Sequence, residues 1–118
     1  MSYKAYATFL VINSSKTDEY RIRLNKVAAR LLNTVSQVEI RKTDKYLVLY
    51  PVSGGYGFHL SYDNVGCPSI SMSRLVKHEG FLTKDLFDGS RYAVRRGKNG
   101  DKRVFICLQE KVTEENDG

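Results

Sequence analysis

The chain has 118 residues, 42% of them hydrophobic, and two prolines, which is enough for one compact domain with a real core and too little for two independent ones. A formal net charge of +6 at pH 7, with an acidic EENDG ending that leaves the rest more basic still, favours anionic partners such as nucleic acid. The longest apolar run, Ala5–Ile12 with Thr8 inside it, falls far short of the roughly 20 residues of a membrane span, and no signal-peptide pattern opens the chain, so the expectation is a cytoplasmic protein with no membrane partner.

Taken in order, YKAYATFLVI (Tyr3–Ile12) is rich in aromatic and β-branched residues and ends at the polar cluster NSSKTDE, which predicts a strand and a loop. YRIRL alternates strictly, with Tyr20, Ile22 and Leu24 on one face and Arg21 and Arg23 on the other, so one side meets a core and the other solvent or a ligand. Asn25 stands where a helix N-cap belongs, and Val27, Ala28, Leu31 and Leu32 recur at helical spacing before Asn33, predicting a short helix. VSQVEIR, the turn KTDK and YLVLY then predict a hairpin ending at Pro51.

The second half repeats this order. YGFHLSY (Tyr56–Tyr62) alternates as a strand, DNVGCP is loop, and SISM places Ile70 and Met72 where the first half has Ile22 and Leu24. Ser73 stands as the second N-cap, and its helix is expected to stop at Gly80 with Phe81 packing back. A longer link, LTKDLFDGS, leads to RYAVRR, the turn GKNGD and KRVFICLQ, a second hairpin whose Asn99-Gly100 pair suits a two-residue turn. The expected fold is therefore α+β, mainly β, with two short helices: a tandem ββαββ pseudo-repeat, residues 3–51 and 56–109, within a single domain of residues 1–110. Each unit is too small to bury its own apolar face, so the two pack as a pseudo-dimer, and residues 111–118 form a flexible acidic tail. The alternative is a small α+β domain in which the order of elements recurs by chance.

Ile70-x-Met72, the capped helix ending at Gly80-Phe81, Tyr92–Arg95, a tight turn and Val104–Leu108 resemble the swapped-hairpin fold of AbrB-like and MraZ-like proteins. The likeness covers residues 69–108, and residues 20–50 more weakly. It implies interlaced units forming a small barrel and, for many members, DNA binding in transcription regulation. The chain lacks the family's usual Gly-Arg before the first strand and the Ile-Pro that opens the helix, because Pro68 precedes SISM, and its helix-to-hairpin link is longer.

Arg91, Arg95, Arg96, Lys98, Lys102 and Arg103 fall within 13 residues against one acid, Asp101. On a two-stranded ribbon they could neutralise phosphates and enter a major groove, with Arg21 and Arg23 extending the patch. A solvated hairpin edge guarded by charge is the alternative. The many aromatics mostly fall on alternating strand positions and are expected in the core, with Tyr56, Phe58 and Tyr62 as the ones to watch for nucleic-acid stacking. GGYG lacks the lysine-serine pair and helix of a phosphate-binding loop and reads as a linker. Cys67 and Cys107 are expected as buried thiols rather than a disulfide or metal site. His59 and His78 have no catalytic partner at useful spacing, so neither enzymatic activity, a metal nor a cofactor is expected. The functional expectation is a DNA-binding regulator, DNA ahead of RNA, acting as a monomeric pseudo-dimer or homodimer. Its alternative is a small protein-binding adaptor or inhibitor of phage or mobile-element type that meets an acidic partner through a basic, tyrosine-rich surface.

Overall fold

Alternation sets the first hairpin: in the computed structural model β1 (Tyr6–Asn13) runs antiparallel to β2 (Asp18–Leu24), with Phe9 opposite Ile22 and Ala7 opposite Leu24. The structure describes residues 4–13, 16–32, 36–52, 57–77, 82–98 and 100–112. As the period-2 pattern required, Tyr20, Ile22 and Leu24 are buried while Arg21 and Arg23 face outward. Helix α1 (Lys26–Leu32) follows at once, inserting Ala28 and Leu32 into the core. Then come β3 (Gln37–Lys42), β4 (Tyr46–Pro51), β5 (Phe58–His59), β6 (Ser61–Tyr62), β7 (Pro68–Ser71), α2 (Ser73–Lys77), a 3-10 turn at Lys84–Leu86, β8 (Arg91–Arg96) and β9 (Val104–Lys111).

Among the described residues all strands join one antiparallel sheet in the order β5-β3-β4-β9-β8-β1-β2-β7-β6. Its two edges, β5 and β6, are separated in sequence by Leu60 alone. β5 pairs with β3 and β6 with β7, while the buried Leu60 donates its N–H to the Ser36 carbonyl at 2.9 Å. The sheet is therefore a nearly closed barrel, mainly β with two helices among the described residues, and the stretch from 58 to 62 is the seam that brings its ends together. Closure leaves almost no edge to be guarded. The interior is filled by Phe9, Ile22, Leu24, Leu47, Leu49, Ile70, Met72 and Ile106, all fully buried.

Several expectations change. The predicted continuous strand Tyr56–Tyr62 is instead two short strands that serve different neighbours, because it must leave β3 and reach β7. Pro68 lies inside β7, opposite Tyr62, rather than ahead of the strand. Ser73 does not cap α2: the Met72 carbonyl accepts the first helical bond, from Val76 at 3.0 Å, and Ser73 Oγ accepts the Tyr20 N–H at 3.0 Å. The link LTKDLFDGS contributes to the core, with Leu82 and Phe87 buried and the Phe87 ring 5.3 Å from Phe9 and 5.2 Å from Tyr20. The β8–β9 connection is wider than a two-residue turn. Gly97 N–H donates to the Arg103 carbonyl, and inside that bond a turn runs from Lys98 to Asp101 with Gly100 at φ +82°. β9 runs through Lys111, and Val112 is buried with its N–H on the Arg91 carbonyl, so the first two residues of the expected tail belong to the body. Asn33, Tyr56, His78, Gly80, Phe81, Asn99 and residues 113–118 lie outside the described residues. Cys67 and Cys107 are buried free thiols, as expected.

Candidate nucleic-acid interface

The eight basic residues singled out from the sequence do not form one patch. Arg95, Arg96, Lys98 and Arg103 converge around a groove at the tip of the β8–β9 hairpin, floored by Tyr46, Phe105 and Cys107 and with a volume of about 400 Å³. Lys102 is exposed on the same tip. Arg91 sits at the opposite end of β8, about 17 Å away by strand rise, with its guanidinium 4.8 Å from the centre of the Tyr6 ring. Register places it on the outer face in line with Thr8 and Arg23.

The groove arises from alternation on the outer face. Leu47 and Leu49 point inward, so Tyr46, Val48 and Tyr50 point outward. Pairing then sets Arg41 beside Val48, Val48 beside Phe105 and Phe105 beside Arg95 across β3, β4, β9 and β8. Tyr46 meets Phe105 edge to face at 5.5 Å. The Arg103 guanidinium lies 5.1 Å from the Phe105 ring centre and 5.9 Å from that of Tyr50, and Arg41 lies 6.0 Å from Tyr50.

Charge around the groove is mostly uncommitted. Asp101 is the one carboxylate among the described residues that line it, and it is engaged by Arg103, whose Nε donates at 2.9 and 2.8 Å and Nη2 at 2.5 Å. These bonds, with the Arg103 backbone N–H at 2.9 Å, hold the Asp101 carboxyl below the usual range and the Arg103 guanidinium above its own. Arg95 donates to Glu110 at 2.7 Å and to Cys107 Sγ at 3.1 Å. Arg95 and Glu110 are both about half exposed, and such pairs contribute about 0–1 kcal/mol, so Glu110 holds Arg95 only weakly. Among the described residues Arg96, Lys98 and Lys102 have no carboxylate within ion-pair distance.

Arg21 and Arg23 are differently placed. Arg21, with its side chain 17% exposed, pairs with Glu19 and donates to Ser69 Oγ through Nε at 3.2 Å and Nη2 at 2.9 Å. Arg23 pairs with Asp63 at 2.5 Å. They line the β2–β7 side and do not extend the groove. Tyr56 lies outside the described residues. His59 is exposed in a separate concavity with Arg21, Arg74, Ser61 and Ser71, and among the described residues no three His, Cys, Asp or Glu side chains gather to hold a metal. No helix among them is long and apolar enough to cross a membrane.

Sequence reasoning missed Tyr46, Tyr50, Phe105 and Arg41. The signal was present in YLVLY, where two leucines alternate with two tyrosines; assigning the leucines inward turns the rings outward. No family model, curated protein or solved structure matches this chain.

Proposed function

We propose that the protein binds nucleic acid, DNA ahead of RNA, through phosphate contacts from the β8–β9 hairpin, in the manner of a regulator. The carrying observation is the convergence of Arg95, Arg96, Lys98 and Arg103 on one concave face where, among the described lining residues, the single carboxylate is already engaged by Arg103. Lysine and arginine so placed gain affinity by releasing counterions from the nucleic-acid backbone, a gain that fades with added salt. The barrel serves as a rigid mount for the hairpin.

The reading of the chain as two ββαββ units in a swapped-hairpin barrel is supported by the pairing. If β1 is exchanged with the β5–β6 stretch, β2 with β7, β3 with β8 and β4 with β9, the β2–β7 and β4–β9 pairs map onto themselves and every other strand pair onto another pair in the sheet. On this reading one chain supplies both units of the pseudo-dimer.

The test is a fluorescence-anisotropy titration with random-sequence duplex DNA at several salt concentrations. The wild type is expected to bind with a steep salt dependence, and Arg96→Glu with Lys102→Glu to weaken binding and flatten the log–log slope by about 1 per lost phosphate contact. Unchanged binding by that variant overturns the assignment. A second reading, a protein-binding adaptor, is favoured by Tyr62 and Val65, 45% and 57% exposed beside a concavity shared with Lys26 and Arg30. It predicts that Tyr62→Ala and Val65→Ser abolish capture of an acidic partner while leaving any DNA affinity intact.

A further inference from the structure

We infer that the hairpin-tip groove seats one unpaired nucleotide, its base laid on the Tyr46 ring and its phosphate held by Arg95, Arg96 and Lys98. This rests on the phosphate-contact reading above and names what the site takes: an exposed base, as in a single strand, rather than duplex alone. Neutralising a duplex backbone requires only cations. A ring in the floor of the site adds nothing there, because paired and stacked bases present no open face, whereas an unstacked base does.

Tyr46 differs from the other rings on this surface. Tyr50 lies under Arg41 and Arg103, Phe105 under Arg103, and Tyr6 under Arg91. Among the described residues no cation covers Tyr46, which is 37% exposed and braced by Phe105 at 5.5 Å. A braced, uncovered ring beside three cations is the combination that single-strand binders use, a sequence-tolerant stacking surface next to an electrostatic track. The groove's volume of about 400 Å³ lies within the range of small-ligand clefts, about 300–1,000 Å³. The shared chemistry is a base with a phosphate, which a strand or a free nucleotide can both supply.

The chain has no tryptophan, so Tyr46→Trp places the only tryptophan in the site, where it can be excited selectively over the tyrosines. Its fluorescence is titrated with a single-stranded DNA 12-mer, the same sequence as duplex, and a free 5′-mononucleotide. In parallel, anisotropy compares Tyr46→Ala and Tyr46→Phe, with thermal unfolding confirming that each variant folds. The expected result is quenching by the single strand, a loss of about tenfold or more in single-strand affinity for Tyr46→Ala, and no more than about a twofold change for Tyr46→Phe or for duplex binding by either variant. Quenching by the mononucleotide as well assigns the site to free nucleotides; quenching by the oligomer alone assigns it to strands. If Tyr46→Ala leaves single-strand affinity unchanged, or lowers single-strand and duplex binding equally, the inference fails while the phosphate reading stands. If the wild type binds neither strand nor duplex at low salt, both fail together.

Discussion

Asp63 orders the turn between β6 and β7 from one side chain. Its Oδ1 accepts the N–H groups of Val65 at 3.0 Å and Cys67 at 2.9 Å, and its Oδ2 accepts Arg23 Nη2 at 2.5 Å. The Arg23 bond first, then the Cys67 N–H, pulls its carboxyl down to about 2. A depressed carboxylate contributes stability that is fully present above its unfolded value of about 3.9 and is lost as pH falls through the folded value. The expected outcome is an Asp63 carboxyl carbon that titrates near 2 by NMR and moves upward in Arg23→Gln; a titration at the ordinary aspartate value in the wild type contradicts the pairing. The sequence marked the loop correctly over DNVGC, where Asn and Gly punctuate it, and missed only that Pro68 already belongs to β7. The partnership with Arg23 was invisible there, since 40 residues separate the two and only the β2–β7–β6 register brings them together.

Among the elements, the two helices show how far local rules reach. Asn25 is a true N-cap: its Oδ1 accepts the Ala28 N–H at 2.9 Å, and the same oxygen takes the Tyr6 N–H at 3.1 Å while Nδ2 donates to the Lys4 carbonyl at 2.7 Å. One side chain thus starts α1 and ties it to the head of β1. Asn25→Ala is expected to cost about 1–2 kcal/mol in denaturant unfolding. Asn25→Asp, which keeps the accepting oxygen and loses the donor, should recover part of that, and a fully neutral Asn25→Ala refutes the tie. Capping was legible at Asn25 because its partner lies three residues on. Ser73 looked equivalent by position, yet its hydroxyl serves Tyr20, 53 residues earlier, a tertiary demand that overrides the local preference. Hairpins and strand faces were legible for the same reason as Asn25, while the core role of Leu82 and Phe87 was hidden in a stretch with no periodicity.

For the whole molecule, closure at the seam depends on Gly57. A β-carbon there would stand 2.7 Å from Val52 Cγ2 and 2.8 Å from the Val38 carbonyl oxygen, and the backbone contact cannot swing aside. Its N–H also reaches Gln37 Oε1 at 3.2 Å. Gly57→Ala is expected to destabilise the fold by about 1–3 kcal/mol and to speed amide exchange along β3 and β5 ahead of β8 and β9. Uniform exchange with an unchanged unfolding midpoint contradicts this. The barrel itself could not be read from strand patterns, because alternation says which face is buried and not which strand lies beside which.

The sheet order also governs how the protein can be made. β9 is the last strand of the sheet in sequence yet lies in its interior, between β4 and β8. A growing chain therefore exposes the unpaired flank of β4, carrying Leu47, Val48 and Leu49, until Val104–Lys111 has emerged. Synthesis from the N-terminus cannot bank a finished first half, so slow translation or truncation before residue 104 lengthens the interval in which strands from two molecules can pair with each other.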